Sequence, residues 1–334
     1  MLDTAGMLEA VELEMQQAVA RAGGAGLGEL HGMLAYHMGW EGEGAGPEAR
    51  GKRIRPLLVM LAAQAAGGDW QAALPAAAAV ELIHNFSLIH DDIEDNSPLR
   101  RGRQTLWKRW GVAQAVNTGD TLFTLAHLAV FRLEQTVSAA AALQAAHVLQ
   151  QTCLHLTQGQ YLDISYETRS DLLEADYWPM VGGKTAALLD CCCRLGAVAA
   201  RAEAGVQQAY GDFGRLLGLA FQAQDDLLGI WGDPAVTGKS AASDLVSGKK
   251  SLPVLYGLGM QGAFGRRWRQ GPVDEAEAAQ VAALLAADGA QAYVQQQADQ
   301  LTTQALDALE QACPQGEAGQ ALRDLAHKLL RRSM

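Results

Sequence analysis

Residues 81–102 read ELIHNFSLIHDDIEDNSPLRRG. An apolar run ends in Asp91, Asp92 and Asp95, and Pro98 and two arginines follow. The pattern predicts a helix over about 72–95 whose last turn is acidic. Asp91 and Asp95 are four apart and Asp92 and Asp95 three apart, so all three are expected on one face. Negative charge at a helix C-terminus is disfavoured by roughly 0.3–1 kcal/mol per group. Clustered carboxylates beside apolar residues are costly unless a cation neutralises them. Mg²⁺ is bound through one or two carboxylates plus substrate phosphates. The segment therefore predicts a helical protein that holds a phosphorylated ligand through metal.

A second segment repeats the design. Residues 221–226, FQAQDD, again place acids, Asp225 and Asp226, at the end of an apolar helix. Two such ends are expected to share a metal cluster across a cleft. The second has only two carboxylates in this register, because position 229 is glycine and Asp233 lies beyond it.

Between and around these segments the chain reads as helix almost throughout. Ala, Leu, Gln and Glu are abundant and β-branched runs are scarce. Helices are expected over about 1–22, 27–40, 52–66, 72–95, 110–134, 137–163, 171–182, 185–201, 203–231, 250–261, 273–287, 289–312 and 316–332, with 98–102 a loop. No linker separates two domains, so one helical domain over 1–334 is expected. The chain has 334 residues, 49% of them hydrophobic, enough for a large core. Its net charge of -11 argues against general nucleic-acid binding. No uninterrupted apolar run reaches the ~18–20 residues of a spanning helix. No basic segment followed by an apolar run opens the chain, so no secretory signal is expected. Cys153, Cys191, Cys192, Cys193 and Cys313 form no disulfide pattern. Three consecutive cysteines point around a helix rather than at one ion. Reduced, mostly buried thiols in a cytoplasmic protein are expected.

Cations cluster near the acidic segments. In GKRIRP (51–56), Lys52 and Arg55 are three apart, and Arg100 and Arg101 follow Asp95 closely. Arginine forks and lysine charges are the expected ligands of a diphosphate. His84 lies two helical turns before Asp91, in position to touch phosphate. Lys184 and Thr185 follow Gly182-Gly183 where a helix is expected to start, so its amides would add to an anion site. The glycine pattern and strand of a nucleotide-binding phosphate loop are missing. Lys239, Lys249 and Lys250 sit in a polar segment that would close over a diphosphate.

Five runs together resemble the trans-prenyltransferases, the short-chain polyprenyl diphosphate synthases. They are GKRIRP (51–56), ELIHNFSLIHDDIEDNSPLRRG (81–102), GGKTAAL (182–188), FQAQDD (221–226) and GKSAASDLVSGKKSLP (238–253), in the family's order over about 200 residues. The resemblance implies an all-α fold of the isoprenoid synthase type, a single helical bundle around a central cavity. It also implies a homodimer and three Mg²⁺ ions. An allylic diphosphate ionises, isopentenyl diphosphate attacks, and a proton is lost. By matching position, Asp91, Asp95 and Asp225 would be the principal metal ligands, supported by Asp92 and Asp226. Arg100, Lys184 and Lys239 would contact the allylic diphosphate. Lys52, Arg55, His84 and Arg101 would hold isopentenyl diphosphate. Thr185 and Gln222 would line the region where positive charge develops. Gly229 departs from the family's frequent third aspartate.

Product length would be set just before the first acidic run. Phe86 is bulky and Ser87 small, a pattern that resembles geranylgeranyl diphosphate synthases. On a helical wheel Ser87 lies nearer the Asp91 face than Phe86 does, which would let a longer chain pass. A fifteen-carbon product is the other option. A class I terpene cyclase shares the fold and the acidic run but needs no isopentenyl site. A head-to-head synthase would arrange its acids differently. A non-catalytic partner subunit is disfavoured by the presence of both acidic runs, although Gly229 keeps it open.

Overall fold

Helices carry most of the computed structural model, which describes residues 2–233 and 242–330. Lys239 lies outside the described residues. Helices of eight or more residues are α1 (Thr4–Ala20), α2 (Gly28–His37), α3 (Ile54–Ala65), α4 (Leu74–Glu94), α5 (Val112–Phe131), α6 (Ala139–Glu167), α7 (Glu174–Val181), α8 (Ala187–Ala199), α9 (Ala204–Trp231), α10 (Leu252–Gly259), α11 (Ala278–Ala287), α12 (Ala290–Gln311) and α13 (Gly316–Leu330). The all-α expectation holds.

Two local features depart from the sequence reading. The expected loop 98–102 is a hairpin, β1 (Leu99–Arg100) antiparallel to β2 (Arg103–Gln104), with Leu99 opposite Gln104. Arg101 (φ +51°) and Gly102 (φ +74°) form its turn. Positive φ at both turn residues matches the twist of the flanking strands. Second, no helix starts at Lys184: Gly182–Ala186 is a π-helical segment between α7 and α8. Its amides continue a helical run and are not the open N-terminus that the anion-site reading required. A helical stretch at Trp70–Glu94 is by length and composition apolar enough to cross a membrane, and 67% of its most apolar window is buried inside the protein, as in a core helix.

The chain divides into two compact units. The first comprises Met1–Cys153, Cys191–Tyr210 and Ala312–Leu322. Here Asp3 caps α1 by accepting the Gly6 amide at 2.8 Å. Met7, Val11 and Met15, at four-residue spacing, bury one face of that helix. In α4, Pro75 occupies the first turn, where its missing N–H costs nothing. Ala76 to Ala79 are fully buried, so α4 is packed on several sides and the acids at its end are held in place.

The second unit comprises Leu154–Asp190, Gly211–Gln311 and Arg323–Met334. Tyr177, Met180, Leu227, Leu252 and Val294 form one of its cores. Leu245, Val254, Phe264 and Leu285 belong to another. Gly214 and Gly218 let α9 approach the 186–190 backbone: a Cβ on Gly214 would lie 2.2 Å from Leu189 O. That contact fixes the rotation of α9, and with it the direction of Asp225 and Asp226.

Candidate active site

The first acidic run lies in the first unit, and its three aspartates do not share one face. Asp92 is buried, Asp91 half-buried and Asp95 exposed. Successive helical residues are turned by 100°, so Asp92 faces inward while Asp91 and Asp95 stay together one turn apart. Arg100 Nε donates to Asp92 Oδ1 at 2.7 Å. Burial raises the Asp92 carboxyl above its usual value, and Arg100 opposes this. Arg100 itself is placed by the hairpin. Arg103 anchors that hairpin by donating to the carbonyls of Tyr36, Glu41 and Glu43 and stacking 3.9 Å over the Tyr36 ring. Arg101 Nη1 donates to Ala49 O at 2.8 Å, and its guanidinium lies against Gly51, where a Cβ would come within 2.7 Å. Glycine at 51 therefore brings Arg101 onto the loop that carries Lys52.

Arg55 Nη1 stands 3.2 Å from His84 Nε2. A guanidinium only donates, so Nε2 is the accepting nitrogen and the proton sits on Nδ1. His84 is held well below its ordinary value by burial, then by Arg55, Arg101, Arg100 and Arg53. His37, which the sequence reading did not single out, is lowered to about 3 by burial, Arg101 and Arg100, with Arg53 adding a smaller push. Its Nε2 and the Nε of Arg55 are buried without a partner. Lys52 is exposed and makes no hydrogen bond or ion pair among the described residues. Arg53 and Arg100 are paired with carboxylates, whereas Arg55 and Arg101 have no salt-bridge partner among the described residues, so beside two neutral histidines they leave a positive field suited to an anion.

Arg53 holds this group together and was also missed. It has a left-handed backbone (φ +48°) at the start of α3. It donates to Glu81 Oε1 at 2.8 Å, to Glu12 Oε2 at 3.0 Å and to Met38 O at 3.1 Å. Asn85 joins Glu81 at 3.1 Å, and Trp40 bonds to Glu12. Nothing in GKRIRP marks which of its three cations turns inward; it is the middle one, drawn by Glu12 and Glu81. Glu12 and Glu14 of α1 thus have internal partners, Arg53 and Arg132.

Phe86 packs edge-on to His90 (4.7 Å between centroids) and against Phe123 of α5 (5.1 Å). Ser87 Oγ donates to His84 O at 2.8 Å. Gly119 makes room for His90, since a Cβ there would lie 2.4 Å from its Nε2.

In the second unit Thr185, Gln222 and Asp226 form one chain of contacts. Thr185 Oγ1 donates to Gln222 Oε1 at 3.0 Å, and Gln222 Nε2 donates to Asp226 Oδ1 at 3.1 Å. Asp226 is fully buried and also accepts from Tyr177 Oη (2.8 Å), Lys249 Nζ (3.1 Å) and the Leu252 amide (3.0 Å). Four donors use its oxygens, so it positions its neighbours. Asp225, one residue earlier, is half-buried. Lys184 bonds to Asp163 of α6. The π-helical segment places it: Gly183 and Gly159 are in backbone contact, with a Cβ on Gly159 only 2.1 Å from Lys184 N. Lys250 donates to Glu167 O rather than to any carboxylate.

Among the described residues no three His, Cys, Asp or Glu side chains stand together as a metal cage. In the first unit Asp91 and Asp95, one turn apart, offer hard oxygen donors, and in the second unit the half-buried Asp225 offers another. Mg²⁺ keeps several waters and completes its shell with substrate phosphates, so one or two carboxylates fit it and a closed protein cage is not required.

A profile of the polyprenyl synthetase family matches residues 46–285. The chain belongs to that family. This polyprenyl synthetase is 40% identical over 310 residues to the (2E,6E)-farnesyl diphosphate synthase of Mycobacterium tuberculosis H37Rv, covering 90% of this chain and 85% of that one. It is 46% identical over 228 residues to a geranylgeranyl diphosphate synthase of the same organism, covering 68% and 64%. The crystal structure of a polyprenyl synthetase from Streptomyces coelicolor A3(2) superposes with a TM-score of 0.88 at 36% identity, covering 98% of both chains. The polyprenyl synthetase is thus a transferase, a trans-prenyltransferase of isoprenoid biosynthesis that acts on isoprenoid diphosphates.

Proposed function

We propose that this polyprenyl synthetase condenses isopentenyl diphosphate with allylic diphosphates to a linear all-trans product, geranylgeranyl diphosphate, in a Mg²⁺-dependent reaction. The observation that carries the reading is the arginine cluster around neutral His84 and His37, which lies in the same unit as Asp91 and Asp95. A cyclase has no use for such a second anion site.

Lys52, Arg55, His84 and Arg101 hold the isopentenyl diphosphate, with His84 Nδ1–H as a neutral donor. Arg100 and Lys184 serve the allylic diphosphate, as does Lys239. Asp91, Asp95 and Asp225 would hold the metal, which when bound offsets charge on the leaving diphosphate. We assign Asp92 to orienting Arg100, and Asp226 to orienting Gln222, Tyr177 and Lys249. The allylic C–O bond breaks and its electron pair leaves with the diphosphate. The isopentenyl double bond then forms the new C–C bond, and a proton is lost to the departing diphosphate. The oxygens of Thr185 and Gln222 stabilise the positive charge that develops between these steps. Apolar walls keep water from it. Phe86, backed by Phe123, limits the growing chain.

The reading includes one synthase domain, and the family match runs through residues of both units. It also includes a homodimer, supported by exposed Val112, Val116, Leu128 and Phe131 on α5. Cytoplasmic residence accords with the burial of Cys153, Cys191, Cys192 and Cys193. Arg55→Ala tests the isopentenyl site. Loss of a charged hydrogen bond worth about 1.5–3 kcal/mol should raise KM for isopentenyl diphosphate roughly 10–100-fold. The allylic KM should move little. An unchanged isopentenyl KM would remove the site from where it is placed here.

A further inference from the structure

The end of α2 turns three consecutive residues toward the arginine group. Tyr36 O accepts from Arg103 Nη1 at 2.6 Å, and Met38 O accepts from Arg53 Nη2 at 3.1 Å. Between them stands His37, to which the condensation assigns no part. Gly39 lets this end of α2 meet the following loop, since a Cβ there would lie 2.7 Å from both Ala49 C and Arg50 N. The same loop supplies Ala49 O, the acceptor for Arg101 Nη1 at 2.8 Å.

The His37 ring is hydrogen-bonded to the backbone of Asn85 on α4. Its Nε2 is buried and has no partner. A backbone carbonyl only accepts, so Nδ1 carries the proton and Nε2 is a buried acceptor left over. Burial, then Arg101 and Arg100, keep a second proton off the ring. His37 lines a cavity of about 20 Å³ together with Asp92, Arg100, Arg101, Gln104 and Thr105. A bound water needs about 10–15 Å³ and two to four polar partners, so this cavity has room for one. Among the described residues Arg100 commits its Nε, to Asp92, and Arg101 its Nη1, to Ala49 O. Each guanidinium keeps further N–H groups to donate. An orphan acceptor and spare donors thus line a space of one water.

We propose that this cavity holds a water that donates to His37 Nε2 and accepts from Arg101, and that His37 thereby positions Arg101 for the diphosphate of isopentenyl diphosphate. This rests on the condensation reading above. Arg100 is already fixed by the Asp92 carboxylate, whereas the protein holds Arg101 through a carbonyl alone, so the constraint falls on Arg101. His37 is a positioning residue that touches no substrate.

The test uses the full-length protein in excess Mg²⁺, with KM and kcat measured for both substrates and folding read by the melting temperature. His37→Leu fills the ring's place and removes the acceptor. It should raise KM for isopentenyl diphosphate about tenfold and leave the allylic KM within about twofold. His37→Gln keeps an acceptor oxygen and should stay within about threefold of the unsubstituted protein. His37→Leu added to Arg101→Ala should raise the isopentenyl KM no further than Arg101→Ala alone, as expected of residues that act as a unit. A high-resolution crystal structure should show ordered water within hydrogen-bond distance of His37 Nε2. An unchanged isopentenyl KM in His37→Leu, with or without a lower melting temperature, would mark a packing role and overturn the proposal. So would His37→Gln as impaired as His37→Leu, penalties that add in the double variant, or a dry cavity. Failure of the parent reading looks different: the unsubstituted protein would consume no isopentenyl diphosphate, and the inference would fall with it.

Discussion

Arg53 keeps a left-handed backbone, a conformation that costs a residue with a side chain about 1–2 kcal/mol. Its ion pair with Glu81 is buried, the two side chains being 5% and 3% exposed. The pair is kept because it sets the backbone between Lys52 and Arg55. Arg53→Ala leaves Glu81 buried without its cation, and such losses cost about 3–5 kcal/mol. Urea unfolding should show a loss of that size, and a loss under about 1 kcal/mol would contradict the role given to Arg53. At this scale the sequence was partly legible. GKRIRP announced three cations near an anion site, and Arg55 does meet His84. Which cation turns inward was not legible, because that depends on Glu12 and Glu81, which are remote in the chain. The inward turn of Asp92 toward Arg100 was hidden likewise, since spacing alone allowed three acids on one side.

Among elements, the π-helical Gly182–Ala186 segment decides where Lys184 and Thr185 point. It persists because Gly159 and Gly183 bring two helical backbones into contact, a Cβ on Gly183 lying 2.6 Å from His155 O. Gly183→Ala forces those backbones apart. Overpacking of this kind costs about 1–3 kcal/mol. The displacement also moves Lys184, so turnover should fall by more than the melting temperature alone explains. Normal kcat in a Gly183→Ala protein that melts early would contradict this placement. Helix positions were readable from composition and periodicity, and most observed helices fall within a few residues of the expected spans. The π-segment was not, because GGKT reads equally well as a helix start unless Gly159 is known to lie opposite. The hairpin at Leu99–Gln104 was missed because strands of two residues carry no periodicity.

For the whole molecule, the positive field has a consequence for stability. Unfolded histidine takes up a proton near pH 6.5, whereas His37 resists until about 3. Between these values the unfolded chain binds more protons than the folded one. Stability is therefore full above about pH 6.5 and falls as pH drops, by at most about 1.4 kcal/mol per pH unit for each such histidine. Urea midpoints at pH 7 and pH 5 should differ more for the unsubstituted protein than for His37→Gln, and equal differences would contradict the assignment. The helical class was legible from 334 residues rich in helix formers, and the chemistry from two acidic runs and their cations. The product was not, because Phe86 and Ser87 give only local volumes, and the support of Phe86 by Phe123 comes from another helix.

The account's central claim is condensation with isopentenyl diphosphate, and product analysis tests it most directly. The protein would be incubated with Mg²⁺, labelled isopentenyl diphosphate and, in turn, allylic diphosphates of five, ten and fifteen carbons. The account predicts a linear twenty-carbon diphosphate from each, lengthened when Phe86 is replaced by alanine. Unconsumed isopentenyl diphosphate, or a cyclic hydrocarbon in place of a linear diphosphate, would contradict it.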